Sequence, residues 1–136
     1  MLAFKEVQKR AVQSCKVTYS EPHDEKHQNF KLDSEKDAEA SAWVAKRKDQ
    51  NQWIQLEAEE PRHWIAVITQ GRGTHEYEQW VTSFYVAFSL DGEIWEYVDE
   101  GRLFVGNTDG FTKIQSKFRT GVNGKFLKIL PQGFCN

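Results

Sequence analysis

Residues 81–90 constrain the fold more than any other part of the sequence, because apolar side chains recur there at every second position. The residues of that apolar face are Thr82, Phe84, Val86, Phe88 and Leu90. Asp91-Gly92 follows at once, and this dipeptide supplies the positive φ angles that a tight hairpin turn needs. We therefore predict a strand with one face in the core and an antiparallel return strand over residues 94–98.

Further segments with strand patterning follow, and none of them has a strong helical period. They lie at residues 54–57, 64–69, 114–118 and 126–130. The chain has 136 residues, which is the length of one domain. We therefore predict an all-β fold, an antiparallel sandwich or barrel, over residues 15–136. Residues 1–14 have weak helical spacing and are predicted to form a loosely docked N-terminal arm.

The charge balance excludes one class of partner. Lysine and arginine number 18 and aspartate and glutamate 20, so the net charge is −2 and no general positive field exists to hold nucleic acid. No apolar run approaches the roughly 20 residues that cross a bilayer. Residues 1–10 lack the apolar core of a signal peptide, so we expect a mature form or another route of export.

Three polar stretches separate the predicted strands and are longer than a β-sandwich needs. They are residues 20–29, 38–51 and 71–79. Loops on a rigid scaffold commonly carry function, so these stretches form the predicted binding region. A sugar site needs an aromatic face and directional polar groups, and both are present here. The candidate ligand contacts are Trp43, Arg47, Arg72, His75, Glu76 and Tyr77.

Two of these candidates carry specific expectations. Arg72 stands between two glycines, which predicts an exposed turn with little for the side chain to pack against. Trp43 has two interpretations that the sequence leaves open, core packing and ligand stacking.

Catalysis has little support in the sequence. His23 and His27 have the spacing of a zinc protease, but Asp24 stands where such a protease needs a glutamate. No G-x-S-x-G motif is present, and neither cysteine lies beside a histidine. We expect a binding protein rather than an enzyme.

The two cysteines lie near the two ends of the predicted domain, at Cys15 and Cys135. Domain termini are often neighbours on the surface, so one bridge between these residues is geometrically plausible. The alternative is a pair of unbridged thiols. Their separation in sequence excludes a C-x-x-C redox or zinc pair.

Four sequence blocks, taken together, resemble a known family. They are residues 53–56 (WIQL), 67–73 (VITQGRG), 79–95 (QWVTSFYVAFSLDGEIW) and 104–109 (FVGNTD). Their order and spacing are similar to those of discoidin domains, also called coagulation factor V/VIII type C domains, over about residues 15–131. The resemblance implies a jelly-roll β-sandwich of the galactose-binding-domain type, with a terminal disulfide between Cys15 and Cys135. After Pro131 the family usually adds another strand, which is expected to be missing here or supplied by the N-terminal arm.

The resemblance also implies a function. The blocks at residues 70–73 and 79–83 are most similar to the slime-mould discoidin lectins, which bind galactose and N-acetylgalactosamine in cell adhesion. By this resemblance Arg72 contacts the sugar and Trp43 lies in the second binding loop, while Asp37, Glu39, His75 and Glu76 are candidates only. Other members of the family bind anionic phospholipid, collagen or peptide termini, which are the alternatives.

The same resemblance sets the expected setting of the protein. Its partners are cell-surface glycans, or else anionic phospholipid or an extracellular protein, at an extracellular or cell-surface location. A structural calcium ion is common in the family, but no ligands can be assigned in this sequence. One shallow sugar site binds weakly, so adhesion implies self-association or tandem copies.

Overall fold

A computed structural model describes residues 15–21, 42–73 and 78–135 of the chain, together with the backbone of residues 3–6. Its strands are β1 (Ala3–Glu6), β2 (Lys16–Tyr19), β3 (Trp43–Val44), β4 (Ile54–Gln70), β5 (Arg72–Gly73), β6 (Glu78–Ser89), β7 (Glu96–Tyr97), β8 (Phe104–Val105) and β9 (Ile114–Cys135). A single turn of 3₁₀ helix, Val98–Glu100, follows β7. No helix within these ranges is long and apolar enough to cross a membrane.

Every strand pair is antiparallel, as the sequence predicts. The long strand β9 lies between β4 and β6. β1 and β2 pair with β4, β3 pairs with β1, and the short strands β5, β7 and β8 pair with β6. The predicted all-β antiparallel fold is therefore confirmed.

The two longest strands each join two segments that the sequence suggests as separate strands. β4 covers both residues 54–57 and 64–69, and β9 covers both 114–118 and 126–130. The β4–β9 register shifts between Glu57 and Arg62 and again between Trp64 and Ala66. Such irregularities bend a strand, so one chain segment can serve two parts of the sandwich without a break.

The core lies on the inward face of these strands. Its largest fully buried apolar side chains are Trp43, Phe84, Phe104, Ile54, Leu56, Leu127, Ile129 and Val44. The ring of Phe104 stacks on Phe84 with 5.6 Å between centroids and meets Phe118 at 5.8 Å. These rings bring β6, β8 and β9 together, and offset or tilted contacts of this kind stabilise a core beyond their buried area.

The β6–β7 hairpin confirms the predicted return strand. Ala87 pairs with Tyr97. The turn is wider than expected, because one oxygen of Asp91 accepts from the backbone N–H groups of Glu93 and Ile94 while only Gly92 has a positive φ. The backbone N–H of Ile94 is the largest cause that lowers the pKa of Asp91. The prediction that Leu90 faces the core is wrong, since β6 ends at Ser89 and Leu90 is 64% exposed in the turn.

The N-terminal arm contributes a strand, in keeping with the expectation from the family resemblance that the arm can supply one. In β1, Phe4 pairs with Trp43 of β3 and Lys5 pairs with Gln70 of β4. Backbone pairing on both sides outweighs the weak helical spacing of the segment.

The predicted disulfide between Cys15 and Cys135 is not present. The strand register explains why. Lys16 pairs with Glu57, and Glu57 pairs with Phe126, so Cys15, the residue before β2, lies at about the level of Phe126. Cys135 follows Phe126 by nine positions, which is roughly 30 Å of extended strand. A bridge needs Cα atoms roughly 4.4–6.8 Å apart.

Candidate functional site

The first two polar stretches meet at one end of the molecule. The backbone N–H of Lys46 donates to the carbonyl oxygen of Glu21 at 3.0 Å, and the side chains of the two residues form an exposed ion pair. The hydroxyl of Ser20 donates to the amide oxygen of Gln52 at 2.8 Å. These contacts hold residues 20–21 against residues 46–52.

The third stretch lies at the same end. The amino group of Lys48 lies 4.9 Å from the centre of the Phe134 ring, and Phe134 pairs with Val81 at the start of β6. Next to Val81, Trp80 packs against Gly71, which directly precedes β5. We use the name loop end for residues 20–21, 46–52, 71–73 and 107–113. The expectation that the polar stretches converge is supported for those of their residues that the structure describes.

Arg72 is buried at the loop end, which corrects the prediction of an exposed turn. Its side chain is among the largest fully buried ones, at 1% exposure. It lies in β5, opposite Gln79 of β6, and its Nη1 donates to the amide oxygen of Gln79 at 3.1 Å. Gln79 is itself 7% exposed. The guanidinium therefore supports the β5–β6 hairpin from inside and does not face solvent.

The glycines beside Arg72 allow a second loop to approach closely. A methyl group at Gly71 would lie 2.5 Å from the carbonyl oxygen of Asp109, and one at Gly73 would lie 2.6 Å from the ring of Phe111. Real Cβ atoms do not come so close to other atoms. These glycines thus serve packing of the 107–113 loop over β5, which is a different role from shaping an exposed turn.

Asp109 and Asn107 give that loop its shape. The carboxylate of Asp109 accepts from the backbone N–H groups of Phe111 and Thr112 at 2.8 and 2.6 Å, and from the Thr112 hydroxyl at 2.7 Å. These bonds, that of the Thr112 N–H above all, lower the pKa of Asp109. The amide nitrogen of Asn107 donates to the carbonyl oxygens of Thr69 and Thr112 at 3.1 and 2.9 Å. The loop is anchored both to itself and to the end of β4.

Phe111 projects from this anchored loop with 61% of its surface exposed. Its carbonyl oxygen accepts from the side-chain amide of Gln70 at 2.7 Å, so the backbone is fixed while the ring reaches solvent beside the β5–β6 hairpin. Sequence reasoning missed this residue. The available signal was Asp109-Gly110, a turn dipeptide directly before an aromatic residue.

The other candidates have three different outcomes. Trp43 is fully buried in the core cluster, so of its two interpretations the structure supports core packing. Arg47 is exposed on the loop end and is available for contact. Its loop is shaped by Asp49, whose pKa is lowered first by a hydrogen bond from the Gln52 side chain. The remaining predicted contacts lie outside the described residues: His75, Glu76 and Tyr77, with Asp37 and Glu39.

The acidic side chains of the loop end take part in hydrogen bonds within their own loops. In the described part of the chain, no three His, Cys, Asp or Glu side chains come together in a group that could hold an ion. Asp109 and Asp49 are engaged by loop N–H and side-chain donors instead. A structural calcium ion stays a prediction of the family resemblance.

Comparison with known proteins decides the family. The profile of the F5/8 type C domain matches residues 16–136, which is most of the chain. The chain belongs to the F5/8 type C domain family. Discoidin-2 of Dictyostelium discoideum is 29% identical over 122 residues, which cover 87% of this chain and 47% of Discoidin-2. The domain thus spans about half the length of that curated relative.

Solved structures show the fold of this F5/8 type C domain. The structure of discoidin II from Dictyostelium discoideum superposes with a TM-score of 0.79 at 26% identity, over 96% of this chain and 54% of discoidin II. CpGH89CBM32-5 from Clostridium perfringens, solved in complex with GalNAc-β-1,3-galactose, gives a TM-score of 0.68 over 92% of this chain and 91% of the module. At 17% identity, the second likeness concerns the fold alone. The predicted jelly-roll β-sandwich is confirmed.

Proposed function

We propose that this F5/8 type C domain is an extracellular carbohydrate-binding adhesion module that takes a galactose or N-acetylgalactosamine type of sugar at the loop end. The observation that carries the proposal is Phe111, an exposed ring on an anchored loop. An aromatic face packs against the apolar side of a pyranose ring, and a fixed backbone keeps the ring in place before the ligand arrives.

Polar groups around Phe111 would supply the specificity of the proposed site. Arg47 is exposed on the neighbouring loop and carries a planar set of donors that matches adjacent hydroxyls. His75, Glu76 and Tyr77 connect β5 to β6 in the chain and remain proposed contacts. Arg72 acts indirectly in this scheme, as a positioning residue that holds Gln79 and the hairpin.

Similar proteins favour a sugar over other ligands. The module CpGH89CBM32-5, which shares the fold, was solved with GalNAc-β-1,3-galactose. Discoidin-2 is a relative over 87% of this chain. These likenesses support a binding module in place of an enzyme. Because a single site of this kind binds weakly, we expect several copies, by self-association or in tandem, on cell-surface glycans.

Titration with free sugars tests the proposal. We expect the protein to bind galactose and N-acetylgalactosamine in calorimetry and to bind glucose much more weakly. Phe111→Ala should reduce affinity about tenfold, since burial of a Phe side chain contributes roughly 1.5–3 kcal/mol. Val105→Ala, another exposed apolar side chain but on β8, is the matched control and should bind normally. Equal binding by the Phe111 variant and the parent would refute the proposed site.

Anionic phospholipid is a second candidate, favoured by the same exposed ring. Phe111 shares the loop end with Lys46, Arg47 and Lys48, and an apolar tip among basic residues suits a negatively charged membrane surface. Phosphatidylserine vesicles and soluble galactose, used as competitors in the same cell-adhesion assay, separate the two functions. Displacement by vesicles alone would favour the lipid.

A further inference from the structure

A second surface lies on the side of the sheet that faces away from the core, and it borders the loop end at Trp53, whose backbone is hydrogen-bonded to Ser20. Cross-strand partners share a face, and the inward partners here include Val86, Leu127 and Ile129. The residues between them therefore point outward. We use the name outer face for the four cross-strand rows that they form: Val105–Ser83, Tyr85–Leu130, Tyr97–Ala87–Lys128–Gln55–Thr18 and Ser89–Phe126–Glu57–Lys16.

Aromatic rings cover much of the outer face. The indole of Trp95 meets the ring of Phe126 edge-on, with 6.2 Å between centroids. The ring of Tyr85 meets that of Tyr97 at 5.6 Å, and Tyr97 is 54% exposed. The surface is rich in aromatic rings, on which the C–H faces of sugar rings can pack.

Lys128 lies between two indoles at the centre of this surface. Its amino group is 3.9 Å from the ring centre of Trp95 and 5.4 Å from that of Trp53. Its contacts are with these rings, and in the described part of the chain it forms no ion pair. Loss of water around the amino group lowers its pKa. An anion from outside would supply the charge partner that the two rings cannot fully replace.

Other basic side chains lie near Lys128. Lys16 and Lys125 accompany Lys128, and in these rows Glu57 is the acidic residue that faces them. Glu57 lies 3.8 Å from the amino group of Lys125. Within the four rows, the ammonium groups of Lys16 and Lys128 outnumber the single carboxylate of Glu57. Lys125 beside them also offsets Glu57, while the carboxylate of Asp91 borders the row at Ser89.

We propose that the outer face binds an acidic glycan, whose carboxylate or sulfate group is received by Lys128 between Trp53 and Trp95. The sugar rings then pack along the aromatic rows, and the side chains of Gln55 and Thr18, which lie in the Lys128 row, meet sugar hydroxyls. This site uses residues other than those of the loop end and does not depend on the function proposed there.

Acidic polysaccharides test the site on the whole protein. We expect binding to polygalacturonate, which carries carboxylates, or to heparin, which carries mostly sulfates, and none to neutral dextran. The polymer that binds more tightly shows whether the site prefers carboxylate or sulfate. Lys128→Met keeps the apolar stem between the indoles and should weaken that binding about tenfold. Lys128→Arg retains charge and ring stacking and should stay within about twofold.

Two controls separate this site from diffuse charge and from the loop end. Lys117→Met removes an exposed lysine on the part of β9 that pairs with the second half of β4, and it should bind the polymer as the parent does. Phe111→Ala should also leave polymer binding unchanged, so failure of the galactose site cannot be confused with failure of this one. Equal losses in Lys128→Met and Lys117→Met would overturn the proposal.

Two further measurements complete the test. If Lys128→Met does not fold, lysine acylation of the parent protein read by mass spectrometry replaces it: polymer should protect Lys128 and leave Lys117 reactive. Absence of protection at Lys128 contradicts the site. Poly-L-glutamate is the last competitor. Should it displace the polysaccharide at equal charge concentration, the outer face recognises acidic peptide and the glycan proposal is wrong.

Discussion

At the scale of single residues, the exposed fraction of a side chain distinguishes a residue that positions its neighbours from a residue that can contact a ligand. Arg72 and Phe111 are close in space, because the ring of Phe111 packs on Gly73, yet their exposures are 1% and 61%. The buried guanidinium stabilises the hairpin through Gln79, and the exposed ring is available to a ligand. Arg72, whose donors would suit a sugar, thus stabilises the fold, while Phe111 lies at the surface where a ligand can reach it.

Arg72→Lys tests that division. A lysine cannot reproduce the planar donor fork at Gln79, and loss of a buried charged hydrogen bond costs about 1.5–3 kcal/mol. We expect Tm to fall by roughly 5 °C or more. Arg47→Lys, at an exposed position, should change Tm very little. A variant at Arg72 with unchanged Tm and reduced sugar binding would instead make Arg72 a direct ligand contact.

The burial of Arg72 could not be predicted from its neighbours in the sequence. Gly71 and Gly73 indicate an unusual backbone requirement, but the atoms that require it belong to Asp109, Gly110 and Phe111, more than thirty positions away. Likewise, the sequence around Trp43 is compatible with both a binding residue and a core residue until its strand partner is known. Local pattern gives residue type and period, whereas close approach between loops is a property of the folded chain.

At the scale of elements, period-two patterning predicted the strands well. β6 and its return strand follow directly from residues 81–98, because one buried face imposes strict alternation. Periodicity did not locate β1, since four residues are too few to establish a period, although the family resemblance offered the N-terminal arm as the source of a strand. The joining of two predicted strands into β4 also escaped it, because polar residues 59–63 look like a loop although their backbone continues the strand.

The 3₁₀ turn after β7 carries a prediction on pH. Asp99 has a left-handed φ of 51°, and its carboxylate accepts from the backbone N–H of Arg119 at 2.9 Å. Burial alone would raise the pKa of Asp99, but hydrogen bonds from Arg119, Thr120 and Arg102 together bring it below the ordinary value. A lowered folded-state pKa adds stability above the unfolded pKa of about 3.9, and this stability is lost as pH falls through the folded pKa.

Asp99→Asn is the corresponding variant. Asparagine tolerates the left-handed backbone and retains one acceptor, so the change isolates the charge. We expect a loss of about 1–3 kcal/mol at pH 7, since hydrogen bonds to a charged group are replaced by neutral ones. The gap in Tm between parent and variant should narrow as pH falls below about 4. Glu93→Gln, in an exposed turn, serves as the control, and a gap that is constant with pH would contradict the assignment.

Removal of β1 tests the role of the N-terminal arm. A chain that begins at Cys15 lacks the backbone pairs of β1 with β3 and β4 and uncovers the strand that carries Trp43. We expect a loss of about 2 kcal/mol or more, seen in thermal unfolding. Removal of residues 1–2 alone, which precede β1, should leave Tm unchanged. If the chain that begins at Cys15 has the same Tm as the full chain, β1 contributes nothing to stability.

At the scale of the whole molecule, the register of three strands separates Cys15 from Cys135. We therefore expect a reducing agent to leave Tm unchanged, because no cross-link restricts the unfolded chain. Intact mass measured without reductant should match two thiols, and both should accept an alkylating reagent after unfolding. A mass lower by about two daltons, with a Tm that drops on reduction, would restore the bridge that the family resemblance implies.

The position of β9 in the sheet has a consequence for how the protein is made. β9 lies between β4 and β6, yet it is the last of the described strands to leave the ribosome. At roughly 5–20 residues per second, its 22 residues take between about 1 and 4 seconds to synthesise. During that interval β4 and β6 each have an open edge with no neighbour between them. Newly made chains therefore pass through a stage that can bind a chaperone or aggregate, and this stage ends when β9 inserts.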